Sequence, residues 1–206
     1  MENLKLQNIK RCSQVERNTN ETKIKLSLEI LSPLESGHFT GSCGIGFMDH
    51  MLNAFCTHGH FSITLEMTGD LNVDCHHSVE DLGIVLGSAF LNAVSDRTAI
   101  NRFGSSYVPM DESLSRCIVD ISSRPYLVYN AKFYSQYIGT LECSMLKEFF
   151  YAFASNAKIT LHIENLYGDN DHHKAESIFK AFARALCDAL CLRQGTVLST
   201  KGTLDI

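Results

Sequence analysis

Residues 75–87 read CHHSVEDLGIVLG and residues 171–183 read DHHKAESIFKAFA, so the pattern His-His-x-x-Glu occurs twice in this chain of 206 residues. In both copies the pattern opens an apolar run with helical spacing. The two copies lie 96 residues apart, nearly half the length of the chain. Histidine and glutamate are common metal ligands, and their repetition at one spacing calls for a chemical explanation.

The segments around each motif occur in the same order in both halves. A short helix is predicted at about 48–58 and again at about 145–156, each followed by an alternating strand, SITLEM or KITLHIENL. A polar turn and a long helix come next, at about 78–95 and about 173–191. Thr64 precedes His76 by 12 residues and Thr160 precedes His172 by 12 residues. The equal spacing favours a tandem duplication of a small α/β unit.

Two further stretches, KIKLSLEI and RCIVDIS, alternate between apolar and polar residues and predict one more strand in each half. Only three prolines occur, and no Gly/Ser-rich linker divides the chain, so the halves are expected to pack as one body. We place the first repeat at residues 1–95, the second at 96–192 and a C-terminal substrate-binding tail at 193–206.

Composition excludes several classes of function. The net charge is −5 and no long basic run occurs, which argues against nucleic acid and against an anionic membrane surface. The first 23 residues are polar and charged and resemble neither a signal peptide nor a membrane span. Eight cysteines occur without a Cys-x-x-Cys pair, which indicates free thiols and a cytoplasmic protein.

The spacing within each motif determines which side chains can converge. Residues four apart share one face of a helix, whereas neighbouring side chains diverge by about 100°. His76 can therefore pair with Glu80, and His172 with Glu176, while the second histidine of each motif points elsewhere. The two short helices carry His50 and Glu148 at equivalent positions. Each of these residues directly precedes an apolar pair, Met51-Leu52 in the first half and Phe149-Phe150 in the second.

If the long helices face each other across a pseudo-twofold axis, these side chains form two metal sites of four ligands each. One site contains His50, His77, His172 and Glu176, and the other contains His76, Glu80, Glu148 and His173. Imidazole and carboxylate ligands without thiolate suit Mn, Fe or Zn and leave coordination positions open. Capping or surface roles are the alternative for paired histidines, but six of the nine histidines fall within these segments.

Several other polar residues are candidates for binding an anionic substrate. Arg102, Arg124 and Lys201 can each hold a phosphate, and Ser199 with Thr200 adds two hydroxyl groups beside Lys201. Taken singly, each of these residues is more often a solvated surface group. Glu21, beside the first predicted strand, is a candidate acid or base with the same alternative.

Taken together, these segments resemble the imidazoleglycerol-phosphate dehydratase family of histidine biosynthesis. The resemblance rests on an ordered set of strings that extends from Arg17 to Gly202. The strings are RNTNETKI, GIGFMDHMLNAFCTHG, HHSVEDLGIVLG, DRTAINRFG, PMDESL, SSRPYL, TLHI, GDNDHHKAESIFKAFARAL and STKG.

The resemblance implies an α/β (α+β) fold made of two half-domains, each a four-stranded sheet backed by two helices, as in domain 2 of ribosomal protein S5. It also implies homo-oligomers, in which trimers build a shell of 24 subunits with active sites between subunits, and two Mn²⁺ ions per active site. The family pattern commonly has histidine where this chain has Glu148, reading EHFF instead of KEFF. Glutamate can still bind manganese, so we keep Glu148 as an expected ligand.

The implied activity is that of a hydro-lyase. It converts D-erythro-imidazoleglycerol phosphate to imidazoleacetol phosphate and water, with the imidazole ring of the substrate bound as imidazolate between the two manganese ions. The residues expected to take part in catalysis are Glu21, His50, His77 and His173. Substrate contacts are expected from Glu21, His50, His58, His76, His77, Glu80, Arg102, Arg124, His172, His173, Ser199, Thr200 and Lys201.

Two other classes of protein remain as alternatives. The doubled motif is also consistent with a non-catalytic shell protein in which metal ions hold the subunits together. A dimetal hydrolase, with a bridging water as nucleophile, is the second alternative. A phosphate-binding group argues against the first class, and the small number of acidic ligands argues against the second.

Overall fold

The structure is a computed structural model that describes residues 11–94, 97, 99–193, 197–200, 202 and 204. Four helices lie in this part of the chain: α1 (Gly46–Gly59), α2 (His76–Ala93), α3 (Met145–Ala157) and α4 (Asp171–Leu190). The first-half strands are β1 (Cys12–Asn18), β2 (Thr22–Ile30), β3 (His38–Ser42) and β4 (Phe61–Gly69). The others are β5 (Phe103–Met110), β6 (Ser113–Asp120), β7 (Tyr126–Asn130), β8 (Tyr137–Ile138), β9 (Leu141–Glu142) and β10 (Thr160–Tyr167).

The two halves form sheets of the same topology. The first sheet has the strand order β1-β2-β4-β3 and the second has the order β5-β6-β10-β7. In each sheet the first three strands pair antiparallel, and the last strand pairs parallel with its neighbour. The predicted pair of four-stranded α/β halves is therefore confirmed. The strands β8 and β9 form a separate two-stranded sheet.

Alternation along the central strands creates one buried face per sheet. In β2 the side chains of Thr22, Ile24, Leu26, Leu28 and Ile30 are buried, and the residues between them face outward. The same alternation holds in β6. The four strands predicted from alternation all form. In the second half, KITLHIENL begins its strand only at Thr160, because Lys158 ends α3 in a left-handed conformation with φ +54°.

All four predicted helices also form, with ends within three residues of the prediction. Their packing crosses between the halves: α1 lies on α4, and α2 lies on α3. The rings of Phe55 on α1 and Phe182 on α4 stack with centroids 5.3 Å apart. One cluster of buried hydrophobic residues contains members of both halves, as expected for halves that pack as one body.

The close approach of α2 to α3 depends on two glycines. A Cβ at Gly83 would lie 2.6 Å from the backbone oxygen of Phe149, and one at Gly87 would lie 2.5 Å from that of Phe153. Both glycines occupy the middle of α2, where glycine costs about 0.5–1 kcal/mol relative to alanine. Close helix contact offsets that cost. Within the described residues, no helix is both long and apolar enough to cross a membrane.

Candidate metal centre

Three potential metal ligands meet where α1 of the first half contacts α4 of the second. The Nε2 atom of His50 lies 3.4 Å from Oε2 of Glu176, and Nε2 of His172 lies 3.2 Å from the same oxygen. The ligand atoms of these three residues all lie within 4.8 Å of one another. Both histidines are partly exposed, whereas Glu176 is 8% exposed. The donor set of two imidazoles and one carboxylate fits a divalent metal such as manganese or zinc.

The carboxylate of Glu176 is held in its charged form by neighbouring cations. Burial alone would raise its pKa, but a hydrogen bond from Lys180 and the charges of Lys180 and His50 lower the pKa below its ordinary value. The Nζ atom of Lys180 lies 2.6 Å from Oε1, so the ammonium group occupies one carboxylate oxygen. The other oxygen, Oε2, faces the two imidazoles and is available as a ligand atom.

Local hydrogen bonds fix the helix ends that carry these ligands. Asp49, the neighbour of His50, accepts from the backbone N–H of Cys43 at 2.8 Å and from the hydroxyl of Ser42 at 2.6 Å. At the start of α4, the side chain of Asn170 accepts from the backbone N–H of His172 at 2.9 Å and so caps the helix. The ring of Phe47 packs edge-on against His172, with centroids 5.0 Å apart.

The buried ion pair at the base of α4 gives further rigidity. Asp171 accepts from the ammonium group of Lys174 at 2.8 Å and from the backbone N–H groups of Tyr134 and Ser135. Both side chains of the ion pair are nearly fully buried. Hydrogen bonds to the backbone satisfy the polar atoms of Asp171 and Lys174 that the ion pair itself does not use, as buried ion pairs require. The first turn of α4, with His172 and His173, is therefore tied to the loop before β8.

The motif of the first half forms a pair of ligands. On α2, Nε2 of His76 lies 3.5 Å from Oε2 of Glu80. Glu148 is half-buried in the first turn of α3, the helix that packs on α2. In the part of the chain that the structure describes, His50, His172 and Glu176 are the one trio that meets the 4.8 Å limit. His76, Glu80 and Glu148 do not converge to that distance, so Glu148 stays a predicted ligand.

The second histidine of each motif is held by a carboxylate of its own half. Nδ1 of His77 lies 2.9 Å from Asp70 Oδ2, and Nδ1 of His173 lies 2.7 Å from Glu112 Oε2. These hydrogen bonds raise the pKa of both imidazoles. The bond from His173, with those from the backbone at Asn170 and Asp169, lowers the pKa of Glu112 to about 2. In each ring the carboxylate accepts from Nδ1–H, which leaves Nε2 as the nitrogen that can bind a metal.

Glu21, the candidate acid or base, lies beside one of these histidines. Its Oε1 atom is 3.8 Å from Nε2 of His77, and its side chain is 52% exposed. Asp70 is joined to the same turn, because its backbone N–H donates to the carbonyl of Glu21 at 3.1 Å. A single chain therefore places Glu21 and His77 together, whereas His77 is not one of the trio around Glu176.

The candidate anion-binding arginines meet at Asp120. Arg102 donates from Nε at 2.7 Å and from Nη2 at 3.2 Å to the two oxygens of Asp120, and Nη2 of Arg124 lies 3.7 Å from Oδ2. Arg102 also donates from Nη1 to the carbonyl of Leu198, which brings the segment with Ser199 and Thr200 to this place. Lys201 lies outside the described residues.

His58 occupies the last turn of α1 and is half-buried. Burial lowers its pKa, and the positive charges of Lys180 and Arg184 lower it further. Both effects favour the neutral form of the imidazole. Its predicted role as a substrate contact stays a prediction.

The trio and the arginine cluster occupy opposite ends of α4. The backbone N–H of Arg102 donates to the carbonyl of Ala189 at 2.9 Å, near the end of the helix, whereas Glu176 lies in its second turn. Thirteen residues of helix separate Glu176 from Ala189, which corresponds to about 20 Å along the axis. One chain therefore does not bring its own arginine cluster to its own trio.

Sequence reasoning missed three acidic residues of these clusters, Asp70, Glu112 and Asp120. For Glu112 a signal existed. Glu112 directly precedes Ser113, the first residue of β6, as Glu21 directly precedes Thr22, the first residue of β2. Thr22 bonds to Asp81 on α2 and Ser113 contacts Ser177 on α4, and Asp81 and Ser177 are again 96 residues apart. Extending the repeat to the first two strands would have identified Glu112 as the partner of Glu21.

The fold and this site define a duplicated α/β protein with a metal-competent centre where the two copies meet. Comparison with known proteins gives the family. A family model described as imidazoleglycerol-phosphate dehydratase matches residues 43–186. A curated imidazoleglycerol-phosphate dehydratase from Clostridioides difficile is 52% identical, covering 93% of this chain and 98% of the relative. One from Caldicellulosiruptor saccharolyticus is 48% identical, covering 94% and 98%.

Solved structures agree with this assignment. The crystal structure of imidazoleglycerol-phosphate dehydratase from Staphylococcus aureus matches with a TM-score of 0.78 and 39% identity, covering 88% of this chain and 99% of that chain. The enzyme from Pyrococcus furiosus matches with a TM-score of 0.76 and 34% identity, covering 91% and 99%. The chain belongs to the imidazoleglycerol-phosphate dehydratase family, whose members are hydro-lyases of histidine biosynthesis.

Proposed function

We propose that this chain removes water from D-erythro-imidazoleglycerol phosphate to give imidazoleacetol phosphate, using two Mn²⁺ ions per active site. The observation that carries the metal part of the proposal is the trio of His50, His172 and Glu176, assembled from both halves with ligand atoms within 4.8 Å. His172 and Glu176 lie on α4, whereas His50 lies on α1, so the spacing of residues within one helix does not explain why the three meet. Family membership supports the reaction, and the trio supports the metal.

Each proposed centre draws on ligands from both motifs. His50, His172 and Glu176 would hold one ion with His77 as the fourth ligand, and His76, Glu80, Glu148 and His173 would hold the other. When bound, such ions supply Lewis-acid stabilisation for negative charge on the imidazole ring of the substrate. This property matters because the hydrogen that is lost sits on a carbon with no neighbouring carbonyl group, so the ring itself must accept electron density.

Side chains of the protein supply the remaining functions. Glu21 is exposed and lies 3.8 Å from His77 Nε2, so its carboxylate can take a proton from substrate carbon or return one. Arg102, Arg124, Ser199, Thr200 and Lys201 would bind the phosphate. Asp120 fixes the guanidinium of Arg102 through two hydrogen bonds, which orients it before substrate arrives.

The same geometry supports active sites formed between subunits. The arginine cluster lies about 20 Å along α4 from the trio of its own chain. His77 and His173 likewise lie outside that trio. A neighbouring chain can supply the missing groups to each centre, and we propose a homo-oligomer of trimers that reaches 24 subunits. This arrangement makes metal binding and assembly one linked process.

We also propose that the protein works in the cytoplasm. All eight cysteines are free thiols, and five of them are buried in the folded chain. Burial raises the pKa of Cys43 to about 12, which keeps that thiol protonated and unreactive. Such thiols suit a reducing compartment.

The direct test is an assay of manganese-loaded protein with imidazoleglycerol phosphate, with imidazoleacetol phosphate and inorganic phosphate both measured. We expect the keto product without phosphate release, and we expect chelated protein to be inactive. Release of phosphate would instead indicate a dimetal hydrolase. Tight metal binding without either product would indicate a non-catalytic, metal-stapled shell.

A further inference from the structure

The two halves of the chain use equivalent glutamates in different ways. Glu21 and Glu112 each end the hairpin that leads into the second strand of a sheet, and each lies beside the second histidine of a motif. In the first half, Asp70 occupies Nδ1 of His77, so Glu21 faces only Nε2, at 3.8 Å. In the second half, Glu112 itself occupies Nδ1 of His173, at 2.7 Å.

We infer that Glu112 is a positioning residue for the proposed metal centre, which fixes the tautomer of His173 and leaves Nε2 as the nitrogen that would bind a metal. This inference rests on the proposed two-metal function. A carboxylate can only accept at Nδ1, so the ring carries its proton there and presents an unprotonated Nε2. Carboxylate–histidine–metal arrangements of this kind raise the basicity of the ligand and hold the ring in place.

The second oxygen of Glu112 fixes the carboxylate itself. Oε1 accepts from the backbone N–H of Asn170 at 2.8 Å and from that of Asp169 at 3.1 Å. Asn170 is the N-cap of α4, so one side chain is bonded both to the start of the helix and to the imidazole that the helix carries. The hairpin between β5 and β6 thereby sets the orientation of His173 relative to α4.

The comparison between the halves explains why Glu112 would not duplicate the proposed role of Glu21. A carboxylate that is engaged by an imidazole and two backbone N–H groups has no free oxygen for proton transfer to substrate. Within the described part of the chain, the carboxylate of Glu21 has only the 3.8 Å approach to His77. Both glutamates are exposed, at 52% for the side chain of Glu21 and 38% for that of Glu112, so they differ in the partners of their carboxylates and not in burial.

The substitution Glu112→Gln separates positioning from simple structural support. The amide oxygen can still accept from the backbone at Asp169 and Asn170, whereas the NH₂ group faces Nδ1 and cannot accept from it. His173 must then take its proton at Nε2, the nitrogen that should bind the metal. Asp111→Asn is the matched control, because Asp111 lies 3.8 Å from His173 Nε2 and carries the same charge without contacting Nδ1.

We expect Glu112→Gln to weaken Mn²⁺ binding at one of the two sites about 10–100-fold, while Asp111→Asn, which removes a charge near the same ring but keeps the contact at Nδ1, weakens binding by less. Mn²⁺ titration calorimetry measures the affinities, and thermal unfolding of the metal-free proteins detects any loss of fold. Glu112→Asp, which keeps the charge but shortens the side chain, should weaken binding less than Glu112→Gln does.

Equal Mn²⁺ affinity in Glu112→Gln and in the control would overturn the inference. So would a loss of affinity accompanied by a matching loss of thermal stability in the metal-free protein, since that result indicates support of the fold alone. If Glu112→Gln does not fold, Glu112→Asp decides in the same way against Asp111→Asn. An unmodified protein that binds no Mn²⁺ contradicts the proposed function instead, so the two failures are distinguishable.

Discussion

Single side chains determine how far each centre is assembled within one chain. Oε2 of Glu176 is shared between the imidazoles of His50 and His172, while Lys180 occupies Oε1. At the matching place in the other motif, Glu80 approaches His76 but has no third ligand atom within 4.8 Å in the described part of the chain. The two centres differ most at one position of the repeat, which is His50 on α1 in the first half and Glu148 on α3 in the second.

Glu148 gives a prediction about metal content. Since it occupies the position equivalent to His50, Glu148→Ala should lose about one of the two metal ions per chain, whereas Glu148→His should keep both and stay active. Elemental analysis after gel filtration measures the metal content. Lys147→Ala serves as the control, because Lys147 is the exposed neighbour of Glu148 on the same helix. Two tightly bound ions in Glu148→Ala would refute the symmetric ligand assignment.

The sequence could predict side chains that local periodicity brings together, but not those joined only by the tertiary fold. His172 and Glu176 share a helix face, and the repeat added His50 from another helix. Asp70 reaches His77 from a loop, and no helix or strand period relates the two. Glu112 reaches His173 from a hairpin turn, so only an extension of the repeat to the first two strands would have indicated it. Asp120 was missed because its role depends on Arg102 and Arg124 converging at one end of a strand.

Among the elements, the helices and central strands were predicted and the edge strands were not. The central strands β2, β4, β6 and β10 bury two to four alternating apolar residues each. The edge strands contribute only one or two partly buried apolar residues, such as Val15 in β1, Phe39 in β3 and Val108 in β5. Such strands are held by backbone pairing to a neighbour, and that pairing leaves little signal in the sequence of the edge itself.

The crossing of α2 and α3 gives a prediction about stability. Gly83→Ala or Gly87→Ala would improve helix propensity, but the added methyl group would lie within 2.6 Å of a backbone oxygen of α3. We expect overpacking to dominate and to lower the free energy of unfolding by about 1–3 kcal/mol. Chemical denaturation of the metal-free protein measures this difference.

The control for this prediction is Gly46→Ala at the start of α1. A Cβ at Gly46 would meet nothing within 4 Å, so the substitution should leave stability unchanged or slightly increased. If Gly83→Ala and Gly87→Ala behave like Gly46→Ala, then α2 and α3 do not pack at the distance described. A loss in both variants, without one in the control, attributes the effect to the helix crossing.

In the whole molecule, duplication yields two related but incomplete centres. The trio lies near the start of α4, the arginine cluster lies near its end, and the first-half motif lies on α2. Fusion of the two halves therefore brings α1 to α4 and α2 to α3, but it does not bring the arginine cluster of a chain to the trio of the same chain. The proposed oligomer provides the missing proximity, because a neighbouring subunit can present its arginines to the trio.

Subunit mixing tests this arrangement. Arg102→Ala removes a proposed phosphate contact and Glu176→Ala removes a proposed metal ligand, so each variant alone should be nearly inactive. If one active site takes Arg102 and Glu176 from different chains, an assembly reformed from equal amounts of both variants contains sites in which both residues are intact. Random mixing should place about a quarter of the sites in that state, and activity should recover to about that fraction of the unmodified level.

The mixing experiment distinguishes sites within a chain from sites between chains. If Arg102 and Glu176 of the same chain served one site, every site in the mixed assembly would lack one of them and no activity would return. Mixing without prior removal of metal is the control, since chains locked in assemblies by bound manganese should not exchange. Activity that returns only after metal removal and reloading links the metal centres to the interface between subunits, because neighbouring chains then share the ligands that hold the ion.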